Sequence, residues 1–188
     1  MGVLIVSYSL ATKMGFMIQV RRIQPDDVPY LVDIFEHMSS ESRYRRFHQS
    51  VDHVSPSRVW TEAERIAQAD PKTSDGLIAF ADLPDEPDAP VAAARYVRLE
   101  PHVAEVAISV RDDLQNIGIG SQLLQLLAQE AKAAGIQKLV GTVQNSNEPM
   151  WHILEHLAFA VTRTPHGAVS EIEIDLLSMR DEEVSGQM

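Results

Sequence analysis

The 188-residue chain contains no cysteine, and this absence excludes several kinds of chemistry at once. Disulfide bonds, thiolate zinc sites, iron–sulfur clusters and a cysteine nucleophile all require a thiol. A chain without thiols also fits a reducing compartment, so we predict a cytoplasmic location. Hydrophobic residues make up 45% of the chain, which is ample material for the core of one domain.

Basic residues are also scarce, because 16 Lys and Arg stand against 27 Asp and Glu, a formal net charge of −11 at pH 7. A surface that binds a nucleic-acid duplex normally carries an excess of cations, so this balance argues against a nucleic-acid partner. A negatively charged protein attracts cationic ligands instead. The composition therefore favours an amine as substrate.

No hydrophobic run approaches the ~20 residues that a membrane helix requires. The apolar stretch over residues 3–11 is interrupted by Ser7, Tyr8 and Ser9, and no basic residue precedes it, unlike a signal peptide. We predict no membrane partner. We interpret residues 1–17 as an N-terminal extension, either loose or strand-like, or as residues upstream of a start at Met14 or Met17.

Hydrophobic periodicity predicts one domain over residues 18–177 and a polar tail over residues 178–188. Strands are predicted over residues 18–23, 77–81, 91–99, 104–110, 138–143 and 168–176. Helices are predicted over residues 26–38, 41–47, 56–69, 121–134 and 147–157. Residues 82–90, with four acids and three prolines, and residues 163–167 are predicted to be loops. This order indicates an α/β (α+β) fold, a mixed sheet of about six to seven strands with flanking helices.

The segment that most suggests chemistry is the glycine turn over residues 115–121, which lies between a predicted strand and the most regular helix. Gly118 and Gly120 let a ligand approach the backbone, and amides at a helix N-terminus attract anions, so we expect a pyrophosphate-binding turn. A Walker A loop needs a lysine, yet none occurs between Lys72 and Lys132. A Rossmann turn needs a third glycine, where this chain has Leu123.

The remaining pattern, Gln-x-x-Gly-x-Gly over residues 115–120, resembles the signature of the GNAT superfamily of N-acetyltransferases. Residues 104–113 are similar to the family's fourth strand. Asn145 and Asn147 match the polar pair after its fifth strand, and residues 157–159 stand where the family has Leu-Gly-Phe. The element order matches over residues 18–176, and specific residues match over 91–159. Residues 40–47 look like the subgroup that includes bacterial protein-lysine acetyltransferase domains.

This resemblance implies a fold in which the family's strands 4 and 5 splay apart around acyl-CoA. It implies transfer of an acetyl group from acetyl-CoA to a primary amine, of a small molecule or a protein lysine, by direct attack on the thioester and without a metal. The residues it assigns to the acetyl-CoA site are Ile108, Val110, Gln115, Asn116, Ile117, Gly118, Ile119, Gly120, Ser121, Asn145 and Asn147. A homodimer is left open.

Glu105 is the predicted general base, because the attacking amine must lose a proton and the family often has Glu at this strand position. The alternative is a half-exposed strand carboxylate without a role. Many family members carry a Tyr general acid seven residues after the capping Asn, and this chain has Leu154 there. None of its four tyrosines lies on that helix, so the general acid is unassigned.

Three further interpretations stay open. The domain could bind acyl-CoA as a sensor without catalysis, since a fold does not guarantee an activity. His152, Glu155 and His156 match the zinc motif of inverted zincins. Finally, the basic run on the second helix could contact an anionic substrate or the CoA phosphates, or it could form a solvated helix face; its members are Arg43, Arg45 and Arg46.

Overall fold

The computed structural model describes residues 7–47 and 54–180, and it is built around an eight-stranded sheet. The strands are β1 (Ser7–Ala11), β2 (Met17–Arg22), β3 (Ser74–Leu83), β4 (Glu86–Glu100), β5 (Val103–Val110), β6 (Lys138–Gln144), β7 (Phe159–His166) and β8 (Val169–Met179). The helices are α1 (Val28–Glu36), α2 (Ser40–Phe47), α3 (Pro56–Ala67), α4 (Ile119–Ala133) and α5 (Glu148–Glu155). Within these ranges no helix is both long and apolar enough to cross a bilayer.

The sheet order is β1-β2-β3-β4-β5-β6-β8-β7, and every neighbouring pair is antiparallel except β5 with β6. Helices cover both faces. On β3, Leu77 and Ala79 belong to the main core with α4, whereas Ile78 and Phe80 pack with Ile34 of α1. The predicted mixed α/β fold is confirmed, with eight strands in place of the predicted six to seven.

The predicted loop over residues 82–90 is wrong, because most of it is a hairpin. β3 continues to Leu83 and β4 starts at Glu86, so only Pro84 and Asp85 separate the two strands. The register shifts between Ala79 and Phe80 and again before Leu83. Proline is tolerated at such irregularities because the donor it lacks is not required there. Prolines and acids in this segment therefore accompany a bulged hairpin.

The predicted loop over residues 163–167 is also wrong, because β7 extends to His166 and the turn to β8 is confined to residues 167–168. β7 lies at the sheet edge, where Pro165 costs no ladder hydrogen bond. Its last five residues are exposed, so the strand has no alternating apolar pattern. Besides β7, the predicted strands omit β1, which lies within the segment that we interpret from the sequence as an N-terminal extension.

Helix α4 forms close to its predicted bounds, and glycines lie at both ends. Gly118 precedes the helix with φ 94°, in the left-handed region that favours glycine. Gly135 follows it with φ 85°, and its amide donates to Lys132 O at 3.0 Å while the Ile136 amide donates to Ala131 O at 3.0 Å. This arrangement satisfies the last carbonyls, so the predicted Gly135 cap is confirmed.

Candidate active site

The sheet separates between β5 and β6. These parallel strands pair only through Val103 with Lys138, Ala104 with Leu139, and Glu105 with Val140. Beyond Glu105, β5 continues to pair with β4 and β6 with β8, but the two strands no longer pair with each other. The gap opens into a cavity of about 550 Å³, lined by the glycine turn and by Glu105. The predicted splay is therefore present.

One edge of β5 faces this gap. The Arg111 amide donates to Val91 O on β4 at 3.0 Å, and backbone groups alternate between the two edges of a strand. The backbone groups of Val110 and Ile108 therefore point away from β4, towards the gap. Their position agrees with the Val110 carbonyl accepting a hydrogen bond from the Gln115 side chain at 3.3 Å. A ligand in the gap could pair with this edge as an added strand does.

The glycine turn is held in place by two side chains that lead into it. Gln115 Nε2 donates to Ser42 Oγ, Asp112 Oδ1 and Val110 O at 3.0–3.3 Å, which ties the turn to α2 and to the end of β5. Arg111 is 4% exposed, and its guanidinium donates to Asp113 and Glu86 at 3.1–3.2 Å. The turn is thus fixed before any ligand arrives.

Free backbone donors begin directly after Gln115. The Gln115 amide itself donates to Asp112 O at 3.4 Å, but within the described part of the chain the amides of residues 116–121 have no acceptor. Asn116 and Gly118 both have positive φ, 63° and 94°, which turns successive amides towards one side. A row of unpaired amides at the start of α4 suits a diphosphate. The residues therefore fit the pyrophosphate of acyl-CoA.

The turn between β1 and β2 supplies a residue of the site that was not predicted. Thr12 is buried against Gly118, where an added Cβ would lie 3.2 Å from Thr12 Cβ. Lys13 and Met14 line the cavity beside the glycine turn. A lysine there can attract phosphates. No local pattern marks Lys13, because its position depends on the pairing of β1 with β2.

The two predicted asparagines have different surroundings. Asn147 lines the cavity and caps α5, accepting a hydrogen bond from the Met150 amide at 3.3 Å. Asn145 instead accepts from Ser170 Oγ at 2.6 Å and from Arg163 Nη2 at 2.9 Å, and donates to Gly167 O at 2.8 Å. The structure therefore does not bring the Asn145 side chain into the cavity, because it is used to fix the turn between β7 and β8.

Glu105 lies at the end of the cavity where β5 and β6 meet. Its side chain is exposed and shares a strand face with Ala107 and Ser109, as the alternation predicted, whereas Val106 and Ile108 pack towards the main core. At ~3.3 Å per residue, Glu105 is ~16 Å along the strand from Val110. A base at this distance reaches the gap only if the reacting group lies back towards Ile108, or through water.

The three arginines of α2 have different contacts. Arg43 donates to Phe35 O at 3.1–3.2 Å and stacks on the Phe35 ring at 4.2 Å, so its role is structural. Arg45 pairs with Glu41 and borders the cavity. Arg46 is partly buried on the cavity wall that includes Glu105. A solvated helix face therefore does not describe Arg46.

Helix α5 forms another wall of the cavity. Leu154, at the position of the expected Tyr, is 2% exposed and packs into the core. His152 and His156 border the cavity and contact each other, with ring centroids 4.3 Å apart and the ring planes tilted by 46°. Among the described residues there is no group of three or more His, Asp or Glu side chains arranged to hold a metal ion. The geometry does not support the zinc interpretation.

The sequence profile of the acetyltransferase (GNAT) family matches residues 32–159, a range that includes the splayed strand, the glycine turn and α5. The chain belongs to the GNAT acetyltransferase family. The resemblance predicted from the glycine turn is confirmed, and the matching family is one of acetyltransferases.

Relatives within the GNAT family include larger proteins. Acetyltransferase Pat of Mycolicibacterium smegmatis (strain ATCC 700084 / mc(2)155) is 33% identical over 165 residues, which are 85% of this chain and 46% of that protein. The chain thus spans about half the length of this curated relative. The solved GNAT domain of S. lividans PAT is 26% identical with a TM-score of 0.77, covering 90% of this chain and 96% of that one. The cAMP-binding acyltransferase from Mycobacterium smegmatis is 26% identical with a TM-score of 0.61, covering 97% and 50% respectively.

Proposed function

We propose that the chain is an acetyl-CoA-dependent N-acetyltransferase that acts on a primary amine in the cytoplasm. The observation that carries this proposal is the single cavity that runs from unpaired amides at residues 116–121 to the carboxylate of Glu105. One end suits a diphosphate and the other suits a base, and the strand between them has free backbone groups. The acceptor is a small molecule or a protein lysine, the latter favoured by the relative named Pat.

Different parts of the site would bind the diphosphate, align the pantetheine arm, polarise the thioester and accept the proton. The amides of residues 116–121 and Lys13 would hold the diphosphate, and the gap-facing backbone of Ile108 and Val110 would align the pantetheine arm. Bound acetyl-CoA would supply the activated acetyl group. The Val110 amide would polarise the thioester carbonyl, as an oxyanion hole does. Glu105 would accept the proton of the incoming amine through water, because ~16 Å of strand separates it from Val110.

The first test concerns the glycine turn. An added Cβ at Gly120 would lie 2.7 Å from Ile153 Cδ1, the mobile end of a side chain, so Gly120→Ala requires only a small shift. Gly120→Glu adds bulk and negative charge among Ile153, Val110 and Ile108, next to the amides where the diphosphate would bind. Calorimetry should detect acetyl-CoA binding to the wild type and to Gly120→Ala, and none to Gly120→Glu. Unchanged affinity of Gly120→Glu would reject the proposed diphosphate site.

The second test concerns Glu105. Glu105→Gln should lower turnover by on the order of 10²-fold, the usual contribution of a positioned base, while acetyl-CoA affinity stays at the wild-type value. The loss should shrink as pH rises, because free amine then forms without help. Glu100→Gln removes an exposed carboxylate at the end of β4 and should leave turnover unchanged. Wild-type turnover of Glu105→Gln at neutral pH would remove Glu105 from the mechanism.

A second candidate function is an acyl-CoA sensor without catalysis. The buried Leu154 favours it, because no tyrosine hydroxyl is available from this position to protonate the leaving thiolate. Thiol release from acetyl-CoA in the presence of a panel of amines distinguishes the two candidates. Release with any amine supports the enzyme, and tight acetyl-CoA binding without release from any amine supports the sensor.

A further inference from the structure

Two arginines approach Glu105 from different elements. Arg46 comes from α2 and Arg95 from β4, and both line the cavity that contains Glu105. In the ladder between β4 and β5, Arg95 pairs with Ala107 and Val97 with Glu105, so the Arg95 side chain lies on the same sheet face as Glu105 and diagonal to it. Both arginines also line an adjoining cavity of about 450 Å³ beneath α1 and α3.

Both guanidinium groups have unused hydrogen-bonding capacity. The Nε atoms of Arg46 and Arg95 are buried and have no acceptor among residues 7–47 and 54–180. The Arg95 side chain is only 15% exposed, and its Nη2 lies 3.9 Å from Glu62 Oε1, beyond hydrogen-bond distance. Glu62 is already held by Arg65 through two hydrogen bonds of 2.6 and 2.9 Å. A buried donor without a partner is costly, which points to a partner that arrives with the ligand.

Positive charge is in excess at this end of the cavity. Burial, and after it the neighbouring Arg95, lower the pKa of Arg46 to about 10, because Glu105 and Glu62 offset these effects only in part. Burial also lowers the pKa of Arg95. A protein with a net charge of −11 thus keeps an electropositive pocket next to its candidate base.

The phosphates of CoA do not fill this role. They belong with the unpaired amides of the glycine turn, and ~16 Å of extended strand separates that end of β5 from Glu105. The group that binds Arg46 and Arg95 must therefore belong to the acceptor, which would enter at the end of the cavity that contains Glu105. A guanidinium presents its donors as a planar fork, which matches a carboxylate.

We infer that Arg46 and Arg95 bind a carboxylate of the acceptor, placed a few bonds from the amine that is acetylated. This inference rests on the proposed function, because it takes Glu105 as the group that faces the acceptor amine. The acceptor is thus an amine that also carries a negative charge. The carboxylate belongs either to a free amino acid or to an acidic residue beside the reactive lysine of a peptide.

The experiment compares acceptors that differ only in one carboxylate. One pair is Nα-acetyl-lysine and Nα-acetyl-lysinamide, and the other is a lysine peptide with Glu or Gln next to the lysine. Each is titrated by calorimetry onto CoA-loaded protein, and kcat and KM are measured with acetyl-CoA. A hydrogen-bonded charge partner predicts roughly 10- to 100-fold tighter binding of the carboxylate member, expressed in KM and not in kcat.

The variants are Arg95→Gln, Arg46→Gln and, as a matched control, Arg58→Gln, which removes an exposed arginine of α3 that does not line the cavity containing Glu105. Each of the first two should reduce the preference to within about threefold while binding the amide member and acetyl-CoA as the wild type does, and Arg58→Gln should retain the preference. Retained acetyl-CoA binding shows that the variant is folded, and Arg95→Lys provides a milder second variant.

The results separate the alternatives. A preference in the first pair alone identifies a free amino acid, and a preference in the peptide pair alone identifies an acidic peptide. Equal affinity within both pairs in the wild type overturns the inference, as does a preference that survives in both Arg95→Gln and Arg46→Gln. Selective binding without acetyl transfer would overturn the proposed function and leave the carboxylate site standing.

Discussion

Replacing Arg111 by Met should destabilise the protein by about 2–3 kcal/mol. The guanidinium is 4% exposed, makes three hydrogen bonds to Asp113 and Glu86, and lies 3.7 Å from Asp33 Oδ2. Breaking a fully buried ion pair costs ~3–5 kcal/mol. The Glu86 and Asp113 side chains are 43% and 53% exposed, so water can replace part of what they lose, which lowers the cost.

For a chain of this size, about 2–3 kcal/mol corresponds to a fall in Tm of roughly 4–12 °C. Calorimetric melting measures it, and Arg65→Met serves as the control because it removes the same charge from an exposed pair worth under ~1 kcal/mol. Since Arg111 immediately precedes the glycine turn, acetyl-CoA affinity should fall with stability. A Tm for Arg111→Met equal to that of Arg65→Met would refute this reasoning.

Two further predictions concern the same site. Gly118→Ala forces alanine to φ 94° with its Cβ 3.2 Å from Thr12 Cβ, so we expect a loss of ~1–2 kcal/mol and weaker acetyl-CoA binding. Gly135→Ala has a similar φ of 85° in open space, so it should lose comparable stability and keep its acetyl-CoA affinity; equal affinities for both variants would contradict the expectation. Acetyl transfer should be unaffected by EDTA, and a loss that added zinc restores would revive the zinc interpretation.

The parts of the fold that could be predicted are those with one buried and one exposed face. Helix α4 and β5 have regular patterns because each packs a single face against the core, and their predicted bounds differ from the structure by one or two residues. Edge strands lack this signal. β7 exposes most of its side chains, and the start of β4 is bulged and rich in proline, so the sequence of residues 163–167 and of residues 82–90 is typical of loops.

The candidate site likewise has a part that the sequence predicts and a part that it does not. The glycine turn could be predicted because its residues are consecutive in sequence. The groups that would bind the ligand are backbone amides, and the two glycines indicate where the backbone is open to a ligand. Lys13 lies in the turn between β1 and β2 and Arg95 lies on β4, and each reaches the cavity only because its strands pair with distant segments. Arg95 lies within an apolar strand, where periodicity cannot distinguish a buried functional arginine from an exposed one.

The turn between β1 and β2 places the edge of the sheet in contact with the proposed cofactor site. Thr12 packs against Gly118 and Lys13 lines the cavity, while β1 covers the outer edge of β2. Ligand binding and edge pairing are then thermodynamically linked, so each must stabilise the other by the same free energy. A chain shortened to begin at Met17 would lose that linkage together with β1, and would leave β2 as an unpaired edge open to association with other chains.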